Sequence, residues 1–264
     1  MLVVIEKDYE ALSREAARIA ANALRQKPDL VLGLATGGTP LGFYRELTRL
    51  HHEERLDFSR VITFNLDEYI GLPAGHPHSF HAYMHNNFFG HGNVKLEAIH
   101  IPDGMVRENY EEYCEGYERA IRDAGGIDLQ ILGIGKDGHI GFNEPTSSLA
   151  SRTRPKTLTR ETMESNREYF SKDEKQPRAA ITMGIGTILD AKKILLLGSG
   201  KKKARAVALA VEGPITSSVS ASALQLHRDA TVLVDREAAA DLKHREYYET
   251  VLAMTRELTP ERLW

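Results

Sequence analysis

Asp137, His139 and Glu144 stand close together in LGIGKDGHIGFNEP, residues 132–145. An imidazole flanked by two carboxylates can relay a proton, one acid orienting the ring and raising its basicity. A histidine packed in a structural turn uses the same residue types. The density of glycine around it favours a loop that folds tightly around a small substrate. Gly133, Gly135 and Gly138 also satisfy the Gly-x-Gly-x-x-Gly spacing of dinucleotide loops. That reading fails on context: Gly141 and Pro145 follow instead of a long helix, and no strand ends in an acid about twenty residues on.

Three further loops carry chemistry. In LATGGTP, residues 34–40, an apolar run leads through Thr36, Gly37, Gly38 and Thr39 into Pro40. Glycines let an anion approach the backbone, and a helix start offers free N–H groups and a positive dipole end. The pattern has the form of a phosphate cradle; a plain strand-to-helix turn with Thr39 as N-cap is the alternative. In FNLDEYIGL, residues 64–72, Asp67 and Glu68 close another apolar run. A carboxylate there is either a general base with a pKa tuned by burial, or a solvated loop acid or helix cap. In GSGKKKA, residues 198–204, a lysine at a helix start is a phosphate ligand by type, although Walker spacing is absent. At most one of the three lysines should point inward. His76, His78, His81 and His85 also cluster, and His81 with His85 has helical spacing suited to zinc. No glutamate lies between them and no cysteine is near, so no metal is expected.

Strands must bring these loops together. Apolar runs of strand length lie at Leu2–Ile5, Leu30–Leu34, Val61–Leu66, Ala98–Ile101, Leu129–Ile134, Ile194–Leu197 and Thr231–Val234. They are rich in Val, Ile and Leu on both faces, as parallel strands covered on both sides must be. Helical patterns over residues 8–26, 106–124 and 236–256 alternate with them, and Pro40 opens another helix. The alternation predicts an α/β fold: a mainly parallel, doubly wound (Rossmann-like) sheet with helices on both faces, binding its ligand at the carboxyl ends of the strands. No repeat or linker divides the chain, so one domain spanning residues 1–264 is expected. The polar, basic stretch around 158–178 is a candidate lid or a plain surface excursion.

Composition excludes other classes. The 264 residues are 42% hydrophobic and 27% charged, with 34 basic against 37 acidic side chains and a net charge of −3. No basic field favours nucleic acid or an anionic membrane. No run approaches the roughly 18 apolar residues of a membrane span, and the opening MLVVIEKDYE is too short for a signal peptide. Cys114 is the only cysteine, which excludes an intramolecular disulfide and fits a reducing compartment. A cytoplasmic location is the expectation.

With these loops in view, the chain resembles the glucosamine-6-phosphate deaminases of amino-sugar catabolism, the route of N-acetylglucosamine degradation. The resemblance rests on LATGGTP, FNLDEYIGL and GHIGFNEP, with SLASRTRPKTLT (148–159) and VEGPITSSVSASALQLH (211–227). It implies conversion of D-glucosamine 6-phosphate and water to D-fructose 6-phosphate and ammonia, without a cofactor. It implies Asp67 as the base between C2 and C1, and His139 with Asp137 and Glu144 for ring opening. Thr36, Gly37, Gly38 and Thr39 would hold the phosphate, with Lys203 aligned as the lysine and Lys201 as an alternative. A lid arginine is expected in an Asn-x-Arg-aromatic-Phe context; here Asn166, Arg167, Glu168, Tyr169, Phe170 puts Arg167 one place early and Glu168 at the expected position. Ser147, Arg154 and Lys156 resemble contacts for an allosteric N-acetylglucosamine 6-phosphate in homo-oligomeric members. A 6-phosphogluconolactonase-like hydrolase and a sugar-phosphate-sensing non-enzyme share the fold as alternatives. Lactonases follow the histidine with an Ala-Ser-Leu-Phe-Pro type sequence, whereas this chain has Ile-Gly-Phe-Asn-Glu-Pro.

Overall fold

All seven apolar runs become strands of one sheet. The computed structural model describes residues 1–167, 170–171 and 174–258. The strands are β1 (Leu2–Glu6), β2 (Val31–Leu34), β3 (Ile62–Asn65), β5 (Ile99–His100), β6 (Leu129–Gly133), β9 (Lys193–Gly198) and β10 (Ala230–Asp235). Every pairing among them is parallel, in the order β1-β10-β9-β6-β2-β3-β5. Alternation along each strand divides the apolar side chains between two cores. Leu195, Leu197 and Leu233 join Leu12, Ile19, Phe43 and Leu47 of helices α1 (Tyr9–Gln26) and α2 (Pro40–Glu54) on one face. Ile194, Leu196, Val232 and Val234 join Tyr117, Ile121, Val207 and Val211 of α4 (Tyr110–Asp123) and α7 (Ala204–Glu212) on the other. The doubly wound α/β expectation holds.

The chain order explains where a ligand fits. From β2 the chain moves outward through β3 to β5, then returns to the opposite side of β2 and continues through β6 and β9 to β10. The direction of winding reverses between β2 and β6. Loops leaving the carboxyl ends of strands on either side of such a reversal diverge and leave a crevice. The threonine-glycine turn leaves β2 and the Asp-Gly-His loop leaves β6, so the two richest motifs flank that crevice.

Two features depart from the sequence reading. A second, antiparallel sheet in the order β4-β8-β7 joins β4 (Asp67–Tyr69), β8 (Ala179–Thr182) and β7 (Arg154–Thr157). β4 is only three residues long and β7 reads Arg-Pro-Lys-Thr, so neither gives a local strand signal; their partner β8 supplies the pairing. The helix expected over 236–256 is confined to α8 (Arg245–Leu258). Asp235 accepts the Ala238 N–H at 2.7 Å through its side chain and the Ala239 N–H at 2.9 Å through its carbonyl, which winds the segment into turns. Glu212 accepts the N–H groups of Lys243 and His244 at 3.0 Å just before α8 begins.

Candidate active site

Four loops follow β9, β6, β2 and β3, which are consecutive neighbours in the sheet. Their residues line one cavity of about 750 Å³ that includes Thr36, Gly37, Gly38, Thr39, Asp67, His139 and Lys203. At the β2 end, Thr39 occupies the N-cap of α2 with Pro40 behind it, but its hydroxyl makes no cap hydrogen bond. That hydroxyl stays available to a ligand, whereas in a purely structural turn it would bond the helix backbone.

The two acids after β3 have different surroundings. Glu68 is fully buried and saturated: its carboxylate accepts the N–H groups of Tyr69, Phe80 and His81 at 2.8, 3.0 and 3.1 Å and faces His81 Nδ1 at 3.0 Å. It secures the start of α3 (Phe80–Asn87) beside the Ser79 cap. Asp67 is 6% exposed, borders the cavity, and receives no hydrogen bond from a described residue. Burial pushes its carboxyl up to about 8, with the neighbouring Glu68 charge adding to the rise. A carboxylate with that pKa, open to a cavity, has the makings of a general base near neutral pH.

The Asp-Gly-His loop closes on both features. His139 Nδ1 lies 2.7 Å from Asp137 Oδ1 and 3.8 Å from Glu144 Oε2. The nearer contact is off the ring N–H axis, a close approach and not an aligned hydrogen bond. Burial works to raise the Asp137 carboxyl, yet contact with His139 holds it below the usual carboxylate range. Two glycines make the geometry accessible. A Cβ on Gly135 would lie 2.5–2.7 Å from three His139 ring atoms, so only glycine leaves room for the ring there. Gly141 has φ +54°, and its Cβ would lie 3.4 Å from Asp67 Oδ2, so the loop after β6 passes directly against the carboxylate after β3. One ligand atom from each of Asp137, His139 and Glu144 falls within 4.8 Å of the others, a set that could also hold a divalent ion.

Among the described residues lining the cavity, the lysines and arginines are Lys203 and Lys136. Lys203 is half-buried while Lys201 and Lys202 are exposed, so the geometry favours Lys203 over Lys201. Its loop is set by Asp235, which accepts the Ser199 hydroxyl at 2.5 Å and the Gly200 N–H at 3.0–3.1 Å. Burial lowers the Lys203 pKa and the nearby Lys136 lowers it further, while Asp137 opposes them. Sequence reasoning missed Lys136, although its place beside Asp137 was a usable signal. It also missed Tyr9 and Tyr83, for which no local signal exists.

The polar stretch after β7 contributes a wall. Thr159 bonds Glu144 through its N–H at 3.2 Å and its hydroxyl at 3.3 Å, and caps α5 (Arg160–Asn166). Ser165, Asn166 and Phe170 line the cavity, and the Asn166 amide donates to the Tyr69 hydroxyl at 2.9 Å. Arg167 is not part of that lining; Glu168, which holds the position expected for the lid arginine, lies outside the described residues. The histidine group does not gather as a metal cluster among the described residues. His76 and His78 approach Glu174 at 3.0 and 3.6 Å, and His81 faces Glu68. Ser147, Arg154 and Lys156 are absent from the cavity lining. The Ser147 hydroxyl is buried without a hydrogen-bond partner among the described residues, and the Arg154 side chain on β7 donates to the Arg152 carbonyl at 3.3 Å.

The sequence profile described as glucosamine-6-phosphate isomerases/6-phosphogluconolactonase matches residues 6–233. A glucosamine-6-phosphate deaminase of Thermoanaerobacter sp. (strain X514) is 51% identical over 251 residues, covering 93% of this chain and 99% of its own. One from Hahella chejuensis is 52% identical over 255 residues, covering 97% of each chain. A solved structure described as a monomeric glucosamine-6-phosphate deaminase superposes with a TM-score of 0.89 at 51% identity, covering 91% of this chain and 100% of its own. The 6-phosphogluconolactonase of Trypanosoma brucei shares the fold, with a TM-score of 0.69 at 20% identity over 91% of this chain and 98% of its own.

Proposed function

The chain belongs to the family of glucosamine-6-phosphate isomerases and 6-phosphogluconolactonases, and from that premise we propose that it converts D-glucosamine 6-phosphate and water into D-fructose 6-phosphate and ammonia. The observation that carries the reading is Asp67: a buried carboxylate without a hydrogen-bond donor among the described residues borders the same cavity as the threonine-glycine turn. The turn and Lys203 take the phosphate, which fixes the reacting carbons near the other two loops. His139, oriented by Asp137 and supported by Glu144, accepts the proton of the C1 hydroxyl and returns it to the ring oxygen as the C1–O bond breaks. Ionised Asp67 removes the C2 proton of the open aldehyde and delivers it to C1. The resulting C2 imine is hydrolysed by water, releasing ammonia and the ketose. The substrate brings its own amine, so the sequence of steps calls for no Schiff-base lysine. Two proton-transfer tasks fall to groups in different environments, one desolvated and one set beside two carboxylates.

The Ile140 to Pro145 sequence after His139, together with half-identity to named deaminases, supports this reading over lactonase chemistry. The stretch 158–178 acts as the lid of a single-domain enzyme, supported by the cavity wall that Ser165, Asn166 and Phe170 form. Ser147, Arg154 and Lys156 form a regulatory site for N-acetylglucosamine 6-phosphate in a homo-oligomer; among the described residues the buried Ser147 hydroxyl has no hydrogen-bond partner and the half-buried Arg154 no carboxylate partner, which supports it. No helix among the described residues is long and apolar enough to cross a membrane, and a cytoplasmic location accords with the unpaired Cys114. A coupled ammonia assay on glucosamine 6-phosphate, run with and without a chelator, tests the reaction. Ammonia release that survives chelation is expected. Its absence, together with turnover of 6-phosphogluconolactone, would replace the deaminase reading with the lactonase one. A saturation curve whose shape ignores added N-acetylglucosamine 6-phosphate would remove the regulatory site.

A further inference from the structure

Two tyrosines from elements far apart in sequence grip the threonine-glycine turn by its carbonyls. Tyr83, on α3, donates its hydroxyl to the Gly37 carbonyl at 2.6 Å. Tyr9, at the start of α1, places its hydroxyl 3.2 Å from the Gly38 carbonyl and 3.0 Å from the Thr39 carbonyl, and accepts the Gly42 N–H at 2.7 Å. The N–H groups of Gly37, Gly38 and Thr39 donate to no described residue. Both tyrosines and all three turn residues border the cavity.

The peptide unit turns these contacts into a device. In a trans peptide the carbonyl of one residue and the N–H of the next point in opposite directions. Fixing the Gly37 carbonyl therefore fixes the Gly38 N–H, and fixing the Gly38 carbonyl fixes the Thr39 N–H. Two adjacent glycines would otherwise let these peptide planes rotate among several orientations. A hydrogen bond at the oxygen end also polarises the peptide, so its N–H becomes a better donor.

We infer that Tyr9 and Tyr83 are positioning residues for the anion site: they hold the carbonyls of the turn away so that the Gly38 and Thr39 amides are aimed in advance at a phosphate dianion. This rests on the reading of the turn as the phosphate site. The test uses full-length Tyr83→Phe and Tyr9→Phe, which remove the hydroxyl and keep the ring. Calorimetry with inorganic phosphate gives Kd, and ammonia release from glucosamine 6-phosphate gives KM and kcat. Each variant should weaken phosphate binding and raise KM by about 3- to 10-fold, with kcat within about twofold of the parent. A hydroxyl that only stabilises the fold would lower the melting temperature and leave KM and Kd in place. Unchanged KM and Kd in both variants, or a loss confined to kcat, overturns the inference. Should Tyr83→Phe fail to fold, Tyr9→Phe decides, because it acts on a different carbonyl from a different helix. A parent protein that binds phosphate but releases no ammonia sinks the reaction alone, and the two Kd values still decide the inference. A parent that binds no phosphate sinks both.

Discussion

The ionisation of Asp67 should dominate the pH dependence of turnover. Its carboxyl is pushed to about 8 by burial first and by Glu68 second. A base works only when ionised, so its active fraction is about 0.01 at pH 6, about 0.1 at pH 7 and about 0.9 at pH 9. The rate kcat/KM, measured by coupled ammonia release across that range, should climb by roughly 90-fold and level off above pH 9. The amine of the substrate titrates in the same region, and Asp67→Asn separates the two: it should cost about 100-fold or more, about 2.7 kcal/mol of barrier, and its residual rate should lose the enzyme's limb while keeping the substrate's. Glu68→Gln should move the limb to lower pH by removing the like charge. Stability carries the same titration with a definite sign. The folded pKa lies above the unfolded one, so between about pH 4 and about pH 8 the native state keeps a proton the unfolded chain sheds. Stability on this account is greatest below the unfolded pKa and falls as pH rises through that window, and Asp67→Asn should flatten the slope of melting temperature against pH. A flat kcat/KM from pH 6 to 9, or a limb near pH 4, would refute the assignment of a desolvated aspartate as the base.

Three other outcomes are expected. His139→Gln should slow the cyclic substrate more than an open-chain analogue, and equal losses on both would contradict a ring-opening role. Gly141→Ala combines a strained φ of +54° with a Cβ placed 3.0 Å from Thr182 Oγ1 and 3.4 Å from Asp67 Oδ2; kcat/KM should fall by at least about tenfold and stability by about 1 kcal/mol or more, read by kinetics and thermal melting. Lys136→Gln should raise KM several-fold, as should Lys203→Gln, whereas Arg167→Gln should leave KM within about twofold, since the two lysines line the cavity and Arg167 does not; a larger effect at Arg167 would place that side chain on the phosphate.

Local patterns made much of the scaffold legible. Strands buried on both faces must be apolar along their whole length, so the seven runs announced the parallel sheet, and Pro40 announced the start of α2. Asp67, His139, Thr36 and Thr39, which line one cavity, were legible as candidates because residue type and near neighbours suggest their chemistry. β4 and β7 were not visible, because a strand of three residues and a strand reading Arg-Pro-Lys-Thr exist only through pairing with β8. Residues 236–244 read as helix because their apolar spacing is helical, yet Asp235 and Glu212 claim their backbone donors from outside the segment.

The sequence by itself determined the fold class and the four loops, and it offered Asp67, Asp137, His139 and Glu144 as candidates for proton transfer, since these follow from periodicity and side-chain chemistry read over a few residues at a time. Only the tertiary structure decided which of two adjacent acids faces the cavity, which of three lysines turns inward, and that Lys136 stands beside Lys203. It alone brought Tyr9 and Tyr83 onto a turn about thirty and about forty-five residues away. The physical reason is that burial, charge and hydrogen-bond partners at this site are set by neighbouring strands, and the reversal of strand order between β2 and β6 makes neighbours of residues remote along the chain.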